Sequence, residues 1–169
     1  HLPEIPVEPD NVAWLRLELS DCVRRRIYEP ISKQEALALH AQGFPISNAF
    51  IVETSKNRLV INLKRQSKLF RQWHVKMEIM ESFGLQLLKN DHLLSFDIKK
   101  WYHHLLLHPN MRNWFLFCIN GEYFRCVALP FGWRPSPVWF IKLMRPFVLY
   151  IRDVLDYRCL AYMATYAWP

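Results

Sequence analysis

Glycine is scarce in this chain, with four residues against eleven prolines in 169. That scarcity argues against a glycine-rich dinucleotide fingerprint or phosphate loop, which need several glycines in one short turn. No apolar run approaches the roughly 18 residues of a membrane-spanning helix. A secretory leader is also absent, so the expectation is a soluble intracellular protein of cytoplasm or nucleus, with no membrane partner. The four cysteines, Cys22, Cys118, Cys126 and Cys159, show no C-x-x-C spacing. Zinc or disulfide frameworks are therefore disfavoured, and buried reduced thiols are expected. Internal repeats and low-complexity tracts are missing too. The most informative absence is of acid. Between Thr54 and Met77 there is no Asp or Glu, while Lys56, Arg58, Lys64, Arg65, Lys68, Arg71 and Lys76 supply seven cations. The net charge is also +7, so the remainder of the chain is balanced. Phe70 and Trp73 are interleaved with these cations, a composition suited to a nucleic-acid backbone or a triphosphate. A solvated basic face without a partner has the same composition.

Half of the residues are hydrophobic and 15% aromatic, enough for a sizeable core and against disorder. The length suits one domain, and a start at His1 suggests an excerpt of something longer. The first ten residues, with three prolines, form an extended connector. Val12, Leu15, Leu19, Cys22 and Val23 recur at helical spacing over 11–26. Ser32 and Glu35 form a capping box for a short helix that Gly43 stops. "NAFIVET" and "RLVINLK" predict two strands joined by "SKN", and "MEIMESFGLQLL" returns to helical spacing. "LLSFDIKK" reads as a buried strand, in which Asp97 is a lone carboxylate that burial makes expensive unless it is paired, protonated or bound to metal. Asn120-Gly121, between two β-rich runs, predicts a hairpin with a type I′ turn. A proline-rich break, "PFGWRPSP", precedes a helix over 138–154, and "YRCLAYM" reads as a last strand.

In this order, "LLSFDIKKWYHHLLLHP", "LPFGWRPSP" and "AYM" resemble the palm motifs of reverse transcriptases. The flavour is that of LTR-type, tyrosine-recombinase-type and pararetroviral elements, whose versions read roughly D-L-K-x-x-Y-H-H, L-P-F-G-x-x-x-x-P and Y-x-D-D. Upstream, "IYEPIS" and "AFIVETSKNRLVINLKRQSKLF" resemble the fingers segment of the same enzymes. The resemblance implies an α+β fold: fingers and palm subdomains of a right-hand polymerase, an antiparallel palm sheet with helices on one face, and no thumb. It divides the chain into a connector (1–16), a fingers-like segment (17–92) and a palm-like segment (93–169), together one reverse-transcriptase-like domain.

The chemistry so implied is two-metal nucleotidyl transfer, in which bridging carboxylates hold two Mg²⁺ ions that activate the primer hydroxyl and stabilise the leaving pyrophosphate. Asp97 matches one carboxylate, with the Ile98 carbonyl as a further metal ligand. Tyr102, five residues on, matches the aromatic that stacks under the sugar and rejects a 2′-hydroxyl. Phe131 and Gly132 match the nucleotide pocket, and Trp133 and Arg134 continue that segment toward the template strand. Arg58 matches the fingers arginine over the triphosphate, with Lys56 a second candidate. Lys64, Arg65, Lys68 and Arg71 are candidate nucleic-acid contacts. The implied partners are an RNA or DNA template–primer, a deoxynucleoside triphosphate and the rest of a larger polyprotein.

Four departures stand against activity. Glu53 occupies the place of a fingers lysine, Asn62 that of an aspartate, and Trp101 that of a small residue. The paired aspartates of Y-x-D-D are replaced by Ala164 and Thr165, neither of which offers an anionic oxygen. The expectation is a reverse-transcriptase fragment, RNA-directed DNA polymerase by ancestry and inactive as written. The alternative is a non-catalytic module of the same origin that binds nucleic acid or a protein partner.

Overall fold

The computed structural model describes residues 5–53, 56–71, 78 and 84–161. They fall into two compact units: His1–Gln72 with Lys100–Ser136, and Trp73–Lys99 with Pro137–Pro169. The first unit carries a five-stranded sheet in the order β1-β5-β4-β2-β3. Its strands are β1 (Tyr28–Ile31), β2 (Ile46–Val52), β3 (Arg58–Ile61), β4 (Leu116–Ile119) and β5 (Glu122–Cys126).

Two hairpins anchor this sheet where turn chemistry and β-rich runs coincide. Asn120 and Gly121 both have positive φ (48° and 77°), the type I′ geometry, and join β4 to β5. Strands β2 and β3 pair antiparallel, with Ala49 opposite Ile61 and Val52 opposite Arg58. The hairpins meet along a parallel junction, Ile46 beside Leu116 and Asn48 beside Cys118. The sheet is therefore mixed, where an antiparallel one was expected. The physical reason is that two antiparallel hairpins can share a sheet through facing edges of either polarity, and register on each inner edge is set by burial. The segment "YEPI" is an edge strand against β5, with Pro30 opposite Phe124. An edge position tolerates a residue that lacks an amide donor.

Helix α1 (Pro9–Arg24) buries Asn11, Leu15, Leu19 and Cys22 along one face. Leu19 and Val23 line a groove shared with Phe124 of β5. Helix α2 (Lys33–Ala41) is capped as the sequence predicts: the Ser32 hydroxyl accepts the Glu35 amide at 3.0 Å, and Gly43 follows at φ 100°. Helix α3 (Lys64–Leu69) is a single basic turn and a half. The core of this unit contains Leu15, Phe115, Leu116, Phe117 and Ile119, all essentially buried, with Phe117 packed against Phe124 and Tyr28. Cys22 and Cys126 are buried free thiols, and burial pushes the Cys22 thiol up to about 12.

In the second unit a helix runs Ser136–Leu149 through Pro146 and passes into a π-helical turn, Tyr150–Val154. Pro146 removes one intrahelical donor, and a wider turn four residues on fits a helix so interrupted. Arg152 holds the Glu78 carboxylate at 2.7 Å and also donates to the Cys159 carbonyl, while Arg158 pairs with Asp91 at 2.5 Å. Two strand expectations fail here. Residues 93–98 form no strand: Leu94 and Phe96 are 80% and 84% exposed, and Asp97 is exposed with them. Residues 157–161 are likewise without a strand. An apolar run becomes a strand only where a neighbour completes its hydrogen-bond ladder, and no described strand lies beside either run. Residues 162 and 163 of the last expected strand lie outside the described residues, as does half of "MEIMESFGLQLL".

Candidate nucleic-acid interface

The β2–β3 hairpin, α3 and the loop 129–136 meet in the first unit, and they carry most of the residues singled out from sequence. Tyr102 sits in a 3₁₀ turn, Trp101–His104, that begins after Lys100 in left-handed conformation (φ 49°). Lys100 is held by an ion pair to Glu18 at 2.7 Å. The turn presents three rings to Phe131: Tyr102 at 4.7 Å between centroids, His103 at 5.0 Å and Trp101 edge-on at 6.2 Å. Tyr102 is buried, which holds its phenol well above its usual range. Phe131 is 40% exposed and forms the open side of the cluster. Burial, then the nearby cations Lys100 and Arg25, lower His103 to about 4, so its imidazole is neutral at pH 7. The Trp101 indole lies against Tyr102 as well as Phe131, so the large side chain stands on the aromatic cluster itself.

Gly132 follows at φ 84°, and a Cβ there would come within 3.3 Å of the Ile61 carbonyl. The left-handed backbone and this close approach to the end of β3 both require glycine. Trp133, expected at the nucleic-acid surface, is instead buried, edge-on to Phe70 and Phe115 at 5.1 and 5.0 Å. Its ring packs among these aromatics while its Nε1 has no hydrogen-bond partner among the described residues, so Trp133 supports the loop from beneath by packing alone. Arg134 is exposed, and its backbone amide donates to the Ser67 hydroxyl of α3 at 3.1 Å.

That bond joins the loop to the basic segment. Lys64, Arg65 and Lys68 are exposed along α3, and Arg71 is exposed just beyond it. The inner face of α3 is Gln66, fully buried, whose amide donates to Ser47 of β2 at 2.7 Å. The Asn62 side-chain oxygen accepts the Lys64 amide at 3.3 Å, just ahead of the α3 N-cap residue Leu63. Lys56 and Arg58 are exposed at the β2–β3 tip, with Arg58 opening β3.

The metal-site residues have no comparable cluster. Asp97 and Ile98 belong to the second unit and are exposed, and Ala164 and Thr165 lie outside the described residues. Among the described residues no group of three His, Cys, Asp or Glu side chains could hold a metal ion. A two-metal site needs several anionic oxygens, and among the described residues Asp97 belongs to no such group. Sequence reading missed Ser67, Gln66 and Asn11. Each is a polar residue whose role depends on a partner 19 to 67 positions away, for which no local pattern exists.

Residues 45–164, more than two thirds of the chain, match the family described as reverse transcriptase (RNA-dependent DNA polymerase). The genome polyprotein of Petunia vein clearing virus (isolate Hohn) is 27% identical over 156 residues, covering 86% of this chain and 7% of that protein. The enzymatic polyprotein of Cestrum yellow leaf curling virus is 25% identical over 160 residues, covering 94% of this chain and 24% of that protein. The chain therefore spans less than a quarter of the length of these curated relatives. Among the described residues no helix is long and apolar enough to cross a membrane.

Proposed function

The chain belongs to the reverse transcriptase (RNA-dependent DNA polymerase) family, and from that premise we propose that it is the fingers-and-palm part of a retroelement polymerase that binds nucleic acid but does not polymerise. The observation that supports the binding is the exposure of cations on α3 and on the 129–136 loop bonded to it. Lys64, Arg65, Lys68 and Arg134 are exposed there on elements joined by the Ser67–Arg134 bond. Cations fixed on a short helix and a proline-rich loop neutralise successive phosphates without reading sequence. Phe131, half open to solvent beside this surface, offers a face on which a base stacks. In the ancestral activity Arg58 and Lys56 would face the triphosphate, and Tyr102, Phe131 and Gly132 would form the nucleotide pocket. Trp101, edge-on to Phe131 at 6.2 Å, would narrow that pocket.

The lack of synthesis follows from Ala164 and Thr165. The family depends on divalent metal ions, and Asp97 with the Ile98 carbonyl offers one anionic ligand where a pair of ions needs several. Loss of such ligands removes several kcal/mol of transition-state stabilisation, or many powers of ten in rate. Primer extension with Mg²⁺ or Mn²⁺ is expected to give no product, and extension that depends on Asp97 would overturn this. Restoring Ala164→Asp and Thr165→Asp should raise Mg²⁺ affinity by calorimetry in a manner that Asp97→Asn abolishes. For binding, affinity for a single-stranded oligonucleotide should fall steeply with salt. Replacing Lys64, Arg65, Lys68 and Arg71 by Gln should lower the slope of log K against log salt by about 3. An unchanged slope would remove α3 from the interface.

A further inference from the structure

Asn11 is buried to 8% exposure on helix α1, an unusual place for a carboxamide, and both ends of its side chain are engaged. Its Nδ2 donates to Glu53 Oε1, and its Oδ1 accepts from Asn57 Nδ2 at 2.7 Å. The orientation of the amide is fixed by this chemistry. A carboxylate only accepts, so the NH₂ end must face Glu53 and the oxygen must face Asn57. The last rung of the β2–β3 ladder pairs Val52 with Arg58. Glu53 and Asn57 are the residues just beyond that rung on either strand, one on each side of the turn. A single buried side chain of α1 thus grips both legs of the hairpin at its tip. Asn11 and Glu53 also line a cavity of about 60 Å³, together with Ile5 and Val7 and with Phe50 and Ile51 of β2.

We propose that Asn11 is a brace that fixes the tip of the β2–β3 hairpin to helix α1, so that the hairpin bearing Lys56 and Arg58 is held in one position. A two-stranded hairpin joined to its sheet by one strand is otherwise free to flex at the far end. This brace also gives Glu53 a role. The position resembles that of a fingers lysine in sequence, and here the inverted charge serves as the acceptor for Asn11. The brace is a property of the fold and stands or falls independently of the nucleic-acid reading above.

The test reverses the direction of the hydrogen bond. Asn11→Asp retains the acceptor for Asn57 but sets a carboxylate against Glu53. Amide hydrogen exchange of the full chain should then quicken about tenfold over residues 50–52 and 58–60, with residues 116–126 of the other hairpin as the internal control. Glu53→Gln alone should change little, because its amide oxygen still accepts from Asn11. Combining Asn11→Asp with Glu53→Gln restores a donor–acceptor pair and should restore protection. Asn57→Ala, which removes one of the two bonds without adding charge, should give an intermediate quickening. The proposal is overturned if exchange in 50–60 is unchanged in Asn11→Asp, if both hairpins quicken equally, or if the double variant stays as unprotected as the single one.

Discussion

His103 shows how one side chain ties stability to pH. Its ring is packed between Tyr28 and Phe131, and neither nitrogen has a hydrogen-bond partner among the described residues. Burial first, then neighbouring cations, lowers it from 6.5 to about 4. Between those values the unfolded chain binds a proton that the folded one does not, so folding stability is full above pH 6.5 and falls as pH drops toward 4. Between pH 7 and pH 5 the expected loss is about 2 kcal/mol at this site. Urea unfolding should show it, and His103→Phe should remove that part of the pH dependence; an equal loss in the variant would mean that other groups cause it. At Gly132 the φ of 84° and the 3.3 Å approach to Ile61 act together. Gly132→Ala is expected to cost about 1–3 kcal/mol in the same measurement.

At the scale of elements, the parts with local signals were legible. The Asn120-Gly121 hairpin and the Ser32 cap depend on backbone chemistry within four residues, and both stand as read. Ser32→Ala should cost about 1 kcal/mol of stability, measured by thermal or chemical unfolding, because it orphans the Glu35 amide. "LLSFDIKK" was misread for the converse reason: its apolar content says that it can be buried, but a strand also needs a neighbour. The helix Ser136–Leu149 and its π-helical extension leave Trp139, Leu143, Phe147, Tyr150 and Val154 exposed at spacings of three and four residues. Such a stripe exceeds the scattered apolar exposure normal for a surface. The chain is expected to bind a hydrophobic dye and to self-associate, and Phe147→Glu with Leu143→Glu should reduce both in light scattering.

For the whole molecule, the division into two units predicts uneven protection. Amides of β4 and β5, around fully buried Phe115 and Phe117, should exchange slowest. Residues 92–98, exposed and without helix or strand, should exchange at nearly unfolded rates in the same experiment. Slow exchange over 92–98 would show that this segment is paired in solution, and would return Asp97 to a structured setting.

Family, composition of the basic segment and the presence of Ala164 and Thr165 after Tyr162-Met163 were all written in the sequence, because each depends on which residues are present and in what order. Ala164 and Thr165 cannot be anionic ligands in any fold. The tertiary structure alone decided that Trp133 faces inward, that Arg134 is tethered to α3 through Ser67, and that Glu53 turns to Asn11. It also decided that hairpins distant in sequence join through a parallel edge. These outcomes depend on contacts across 40 or more residues, where the partner's identity, and not the residue's own propensity, sets the free energy.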